Sequence, residues 1–342
     1  MRTSSGRQVT SHERASPLDL PQFLHGKRYH PLSQHYRERF GTKVFKVSVS
    51  VAETCPNREG MGGMQVCVFC DEWGSAAYHQ HRDLPLREQI RVNREAIRRR
   101  YRAERFLVYF QAYTNTFGRI RTLQQLYEEA LAEEDVLGVV VGTRPDCLPR
   151  AVLRTMEAFA RERYLSVELG VQTLDDAQLR FLSRGHDRAC SLEAIRKLKA
   201  LPDVNLCVHL MFGLPGETDA QLRETAELLS ELGVDGVKLH NLHVLRNTPL
   251  EQLFENGEFV PVELEEYARK VAVFLEHLAP EIAVHRLAAV ASRWDELVAP
   301  EWTREKMRPT QYIEDHLVAI NTWQGRLWGS ALPERHTQQG GI

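Results

Sequence analysis

Cys55, Cys67 and Cys70 form a C-x11-C-x2-C array within the run 54–75, directly after the alternating stretch Val44 to Ala52. No fourth cysteine lies nearby in the sequence. Thiolates are soft ligands, and a Cys-x-x-Cys pair serves zinc and iron alike. Three thiolates can hold three irons of a [4Fe–4S] cube and leave the fourth iron open to a cofactor or substrate. The alternative is a Cys3His zinc tetrahedron completed by His79 or His81. Between the first two cysteines, Gly60, Gly62 and Gly63 allow the backbone to fold tightly around an inorganic core. Cys147, Cys190 and Cys207 are widely spaced, none in a CxxC, and read as small buried hydrophobes or isolated thiols.

The elements that must position this array alternate from Val44 onward. Short apolar runs begin at Val44, Phe106, Val136, Tyr164, Val204 and Gly236, and amphipathic stretches of helical period lie between them. Thr218 and Pro149 are helix-start signals. Six β–α units with β-branched strands predict a parallel sheet of the β/α-barrel kind. From about Pro249 the rhythm changes to a helix, one short strand (281–288) and a last helix, expected to cap the barrel. The expected organisation is a lead-in over 1–25, a core barrel over 26–250, a cap over 251–329 and a flexible tail over 330–342. In such a barrel, function gathers at the C-terminal strand ends. That rule selects Cys55, the segment 111–115, Thr143 to Asp146, Glu168, Gln172, the segment 209–217, His240 and His243.

The chain has 342 residues, 43% of them hydrophobic and 26% charged, with a net charge of −2. These are the proportions of a globular protein, with no global pull toward nucleic acid or anionic membrane. The longest apolar runs, such as 136–142, are far short of the ~18 residues a membrane span needs. The polar first twenty residues are not a signal peptide. Six cysteines do not suggest a disulfide scaffold, and a thiolate cluster needs a reducing compartment, so a cytoplasmic location is expected.

Several further motifs sharpen the reading: CPNREG…CVFC (55–70), YFQAYTNTF (109–117), GTRPDCLP (142–149), VELGVQT (167–173), RGHD (184–187), HLMFGLPGET (209–218), KLHNLHVLRNTPL (238–250), HRL (285–287), APEW (299–302) and TWQG (322–325). With these the chain resembles the radical S-adenosylmethionine (SAM) enzymes. Within them it resembles a bacterial family related to the Elongator catalytic subunit and to oxygen-independent coproporphyrinogen oxidase. The resemblance spans roughly residues 26–329. It implies an α/β fold with a partial (β/α)6 TIM-type barrel and a C-terminal α/β cap. It implies a [4Fe–4S] cluster on Cys55, Cys67 and Cys70, SAM on the open iron, and a ferredoxin- or flavodoxin-type electron donor. Reductive cleavage of SAM would yield a 5′-deoxyadenosyl radical that abstracts hydrogen from substrate. By the same resemblance Gln172 and Arg184 reach the SAM carboxylate or ribose, and Thr114 and Asn115 meet its amino group. Glu168 and His209 flank the cofactor, and Gly213 and Gly216 let the backbone pass close to adenine. His209 departs from the acidic residue common in the superfamily. Ala288-Ala289-Val290 departs from a Thr-Gly-Asp-type segment, which implies a different substrate if that segment touches it.

The resemblance favours a tRNA wobble base as substrate, with porphyrinogen-type or other small-molecule oxidation or decarboxylation as the alternative. A zinc-stabilised, non-catalytic module is the third reading. The stretch Arg87 to Arg105 holds eight arginines against three glutamates. It is either an RNA-binding face, with Arg91, Arg94, Arg98 and Arg102 in line, or a solvated face with internal ion pairs. His240 and His243 are candidate acid/base groups. Tyr109 and Tyr113 are expected to pack the barrel wall, and Trp302 and Trp323 the cap.

Overall fold

The computed structural model describes residues 21, 23–52, 54–71, 74, 83–291 and 294–329. Six strands arise where the apolar runs predict them: β1 (Val44–Val49), β2 (Arg105–Phe110), β3 (Val136–Thr143), β4 (Tyr164–Gln172), β5 (Val204–Phe212) and β6 (Gly236–Asn241). The chain leaves the sheet after Asn241. Val244–Leu245 (β7) instead pairs antiparallel with Leu297–Ala299 (β9). The short run expected within the cap supplies β8 (Ala283–Arg286), which pairs parallel with β6 as a seventh strand. The sheet runs β1-β2-β3-β4-β5-β6-β8, parallel throughout, as a curled partial barrel.

Helices cover the outer face: α2 (Leu86–Tyr101), α3 (Ile120–Ala130), α4 (Arg150–Ala160), α6 (Arg188–Lys199), α7 (Asp219–Glu231) and α9 (Leu264–His277). Thr218 and Gln221 form a reciprocal capping box at the start of α7. Three shorter helices, α1 (Leu32–Phe40), α5 (Asp176–Phe181) and α8 (Pro249–Glu255), were not signalled by apolar period. A last helix, α10 (Arg308–Ala319), follows β9. Among the described residues no helix is long and apolar enough to cross a membrane.

Strand alternation divides the protein into two environments. On β4, Leu165, Val167, Leu169 and Val171 face the main apolar core beneath the helices. The intervening Ser166, Glu168, Gly170 and Gln172 turn into the curl. At the N-terminal end of the strands, Tyr36 and Phe40 of α1 pack with Val44, Leu107, Val140 and Tyr164 and plug the curl. The opposite end stays open and polar.

The free edge of β8 is covered by the segment before α1, where Val284 N donates to His30 O at 2.7 Å. Gln324, fully buried, holds that segment. Its Oε1 accepts from His30 N (2.9 Å), and its Nε2 donates to Ala279 O (2.7 Å) and Ile282 O (2.8 Å). Ala279 O also accepts from Ile282 N, so Gln324→Ala would strand two buried backbone groups, His30 N and Ile282 O, at ~1–3 kcal/mol each. A loss of about 2 kcal/mol or more in urea unfolding is expected. A loss below 1 kcal/mol would show that the edge is held by other contacts.

Candidate functional site

At the C-terminal ends of the strands a cavity of about 290 Å³ is lined by Cys55, Cys67 and Cys70 together with Thr114, Glu168, Gln172, Arg184, His209, His240 and His243. The fold thus brings ten of the candidate side chains to one space. Asn115, Gly213 and Gly216 are not among its lining residues. Asn115 turns its amide to Phe110 O, Ala112 O and Gly142 O, which braces the turn after β2. Gly213, at φ +82°, packs where a Cβ would lie 2.5 Å from Val262, and its N–H donates to Glu217. His79 and His81 lie outside the described residues.

The cysteine loop is held from three directions. Asn57 donates to Ser183 O (2.8 Å) and accepts from Arg144, whose guanidinium also binds Asp146 (2.6 and 2.9 Å). Val68 N donates to Leu182 O and Val68 O accepts from Leu250 N. These contacts explain three motifs at once: CPNREG supplies Asn57, GTRPDCLP supplies Arg144, and the turn before RGHD supplies the carbonyls.

Within RGHD each residue has a separate task. Arg184 donates to Gly170 O (2.9 Å) and His186 Nε2 (3.2 Å), leaving Nη1 at 3.6 Å from Cys67 Sγ. At Gly185 a Cβ would stand 2.2 Å from Met64 Sδ. Burial pulls His186 down to about 3, with Arg184 adding to the effect, so the imidazole stays a neutral acceptor. Asp187 caps α6.

Three non-glycine residues with left-handed backbone line the same space, Ala112 (φ 68°), Tyr113 (φ 51°) and Gln172 (φ 71°), and a fourth, Ser183 (φ 53°), directly precedes the lining residue Arg184. Such conformations cost energy and concentrate where geometry serves a site. Thr114 is 1% exposed and its Oγ1 has no hydrogen-bond partner. At Gly170 a Cβ would meet Gln172 Nε2 at 2.9 Å and Arg184 at 3.6 Å, so glycine keeps this wall open. Among the described residues no three His, Cys, Asp or Glu side chains converge on one ion. A cube needs no such convergence, since each of three thiolates binds a different iron.

The floor of the cavity is a charge network that apolar pattern did not reveal. Glu168 Oε2 accepts from Tyr109 Oη (2.6 Å), Lys238 Nζ (2.6 Å) and His209 Nε2 (2.7 Å). Its Oε1 binds Lys46 Nζ and lies 3.5 Å from His285 Nδ1. Burial alone would raise the Glu168 carboxyl, but Lys238 and Lys46 outweigh it and hold it well below the carboxylate range. Burial brings Lys238 down to about 8 despite the carboxylate. Tyr109 packs with Tyr36, Val44, Leu107 and Val140 as expected and is also a hydrogen-bonded member of this floor. Lys46, Lys238 and His285 were legible only as polar residues at alternate positions in otherwise apolar strands.

The remaining thiols and arginines follow the structural readings. Burial pushes Cys147 up to about 12 and Cys207 well above the thiol range, as expected of inert buried thiols. In α2, Arg94 is 9% exposed and pairs with Asp135 (2.7 Å) and Glu133 (2.8 Å). Arg98 pairs with Asp135 and Glu95, Arg91 with Glu88, and Arg102 terminates the helix in left-handed backbone. Of the two readings of this stretch, the structure shows the internal ion pairs: Arg94 and Arg98 reach Asp135, because the 94/98 spacing faces the loop before β3.

The buried histidines set the response to acid. Burial lowers His209 to about 4 and His285 to about 3, against ~6.5 unfolded. Between those values the unfolded chain binds protons that the folded one does not, so stability falls as pH drops from 6.5 toward 4. Each group contributes up to ~1.4 kcal/mol per pH unit. Urea unfolding of His285→Gln between pH 7 and 5 should show a shallower slope by up to one proton. An unchanged slope would mean this histidine charges freely in the folded protein.

A family model described as the Radical SAM superfamily matches residues 49–229, and the Radical_SAM C-terminal domain matches 234–319. Protein YhcC of Escherichia coli (strain K12) is 36% identical over 296 residues, 85% of this chain and 93% of YhcC. A tRNA uridine(34) acetyltransferase of Dehalococcoides mccartyi is 32% identical over 133 residues, 38% of this chain and 28% of that protein. The structure of archaeal Methanocaldococcus infernus Elp3, lacking its N-terminus, superposes with a TM-score of 0.64 at 16% identity, covering 85% of this chain and 68% of that one.

Proposed function

The chain belongs to the radical SAM superfamily, and from that premise we propose that it holds a [4Fe–4S] cluster on Cys55, Cys67 and Cys70 and SAM beside it, to start radical chemistry on a tRNA base. What carries the reading is one observation. Three thiols, the unpartnered Thr114 hydroxyl, Gln172 in left-handed backbone and the oriented Arg184 guanidinium share a single cavity at the strand ends. The donor set fits both groups: soft thiolates for iron, and polar atoms with an oriented guanidinium for an amino-acid end. With both bound, the chemistry supplied is one-electron cleavage of SAM and hydrogen abstraction from substrate.

The protein's own residues orient and enclose. Asn57 and Arg144 fix the cysteine loop and so position its thiols at the cavity. His186 and Gly170 O orient Arg184 so that its Nη1 faces the cysteine side of the cavity, where it donates only to the weak acceptor Cys67 Sγ. Around the floor, His209, His240 and His243 are neutral, each depressed chiefly by burial. Burial brings Lys238 down to about 8, and its Nζ, beside Tyr109 Oη (3.1 Å) and Glu168 Oε2 (2.6 Å), can give or take a proton there. The electron would come from a ferredoxin- or flavodoxin-type donor.

The tRNA substrate rests on the shared segment with the uridine(34) acetyltransferase and on a 29% identity over 144 residues with a tRNA-2-methylthio-N(6)-dimethylallyladenosine synthase of Chloroflexus aurantiacus. Helix α2 lends it no support, since Arg91, Arg94 and Arg98 are each paired with acids.

Anaerobically reconstituted protein is expected to be brown, with about four irons per chain. Cys55→Ala, Cys67→Ala and Cys70→Ala should each abolish SAM cleavage, whereas Cys147→Ala, Cys190→Ala and Cys207→Ala should keep the iron. Arg184→Ala should raise the SAM dissociation constant about tenfold, the ~1.4 kcal/mol of a lost charge-assisted pair. A colourless protein holding one zinc would overturn the reading. For the substrate, nucleosides of bulk tRNA from a deletion strain and its parent are compared by mass spectrometry. Loss of one modified nucleoside is expected, and identical profiles would remove tRNA as the substrate.

A further inference from the structure

We propose that Arg286 anchors an oxyanion subsite at the β6/β8 end of the cavity, where a carboxylate or phosphate group of the substrate docks away from the cysteine loop. The inference deepens the radical SAM reading and rests on it for the cavity being the reaction chamber.

Arg286 is the last residue of β8 and lines the cavity. Its one described hydrogen bond runs from Nε to Leu239 O at 3.4 Å, and its Nη2 is buried with no partner. Other buried cations of the chain have acids at hand: Arg94 has Asp135, Arg144 has Asp146, and Lys270 lies 3.2 Å from Glu217. Among the described residues no carboxylate lies within ion-pair distance of Arg286, and Glu168, already paired with both lysines, acts on it only at longer range. A buried guanidinium without a paired counter-ion is costly, and one that persists at a cavity wall is poised for an anion from outside.

Two more donors share the wall. Asn241 is 1% exposed, its Oδ1 engaged by Ala289 N, and its Nδ2 is unpartnered. His243 Nδ1 is likewise buried without a partner. Both residues line the same cavity. Three unsatisfied nitrogens on one wall call for acceptor atoms, and an oxyanion presents several at once.

The charge balance agrees. Lys46, Lys238 and Arg286 share this end with one carboxylate, Glu168, while the nearby histidines are neutral. Glu168 is already saturated by both lysines, Tyr109 and His209. The excess positive charge favours a substrate with an anionic group over a neutral or cationic one. A planar guanidinium also matches carboxylate or phosphate oxygens in bidentate fashion, which a lysine does not. Beside it, Ala289 and Val290 present small or apolar surface, so the carrier of the anion has room but no competing acid.

The test is titration calorimetry of the reconstituted protein with inorganic phosphate, succinate and uridine 5′-monophosphate. Saturable binding of at least one is expected, and the three probes separate a free phosphate, a carboxylate and a nucleotide as its source. Arg286→Met should weaken that binding tenfold or more, and Arg286→Lys should recover part of it because the charge returns without the fork. Removing an unpaired buried cation should also leave the thermal midpoint unchanged or raise it, which separates a binding role from a structural one. Should Arg286→Met lower the midpoint, Arg286→Lys decides by its probe affinity alone. No saturable binding to the parent, or equal binding in the variants, would overturn the subsite. Cys67→Ala should bind the probe like the parent. A parent protein that takes up no cluster on reconstitution yet binds the anion would retire the cluster reading and leave the subsite standing.

Discussion

The carboxylate of Glu168 is the interaction on which the rest of the site depends. It sits on the middle strand of a seven-stranded parallel sheet and is met by side chains from β1 (Lys46), β2 (Tyr109), β5 (His209), β6 (Lys238) and β8 (His285). The edges β1 and β8 share no backbone ladder, so the sheet is not closed by hydrogen bonds. Lys46 and His285, 3.4 Å apart, bring those edges together through the carboxylate instead. A buried ion pair replaces backbone closure. Taken alone such a pair adds little to stability, because desolvation offsets the Coulomb gain. Its effect is specificity: only one curvature places both lysines and three hydrogen-bond donors around one carboxylate.

That constraint leaves the C-terminal strand ends open and polar, and the protein fills the opening from two sides. The cysteine loop enters over β1, fastened by Asn57, Arg144 and the turn at Leu182. The β6–β8 wall brings Asn241, His243 and Arg286. Unpartnered polar atoms occur on both sides, with Thr114 Oγ1 toward the cysteine side and three nitrogens toward the other. Such atoms are expensive in a folded core, yet here they gather around one open space at the strand ends.

Backbone strain has the same address. Ala112, Tyr113, Gln172 and Ser183 adopt left-handed conformations without being glycine. They end or follow β2, β4 and α5, where the chain turns across the cavity mouth. A regular turn would satisfy the backbone more cheaply. The irregular one aims Gln172 inward and positions Ser183 to receive Asn57, so local cost is exchanged for orientation.

The cysteine array, the six strands and the helices between them were determined by sequence alone. Thiol spacing, period-2 and period-3.6 patterns and cap residues are local signals, and each needs only a short window of chain. So was the placing of Glu168, Gln172 and His209 near one site, since strand ends of a parallel barrel face one way. Only tertiary structure decided three further matters. The 281–288 run joins the sheet because β6 offers it an unpaired edge, a contact some forty residues away. The arginines of α2 face Glu133 and Asp135 because the helix packs against the loop before β3, and helical spacing cannot say which neighbour a face will meet. Lys46, Lys238 and Arg286 became functional candidates only when six strands were folded around one carboxylate. A charge in a strand is an ordinary residue until the fold shows what, if anything, neutralises it.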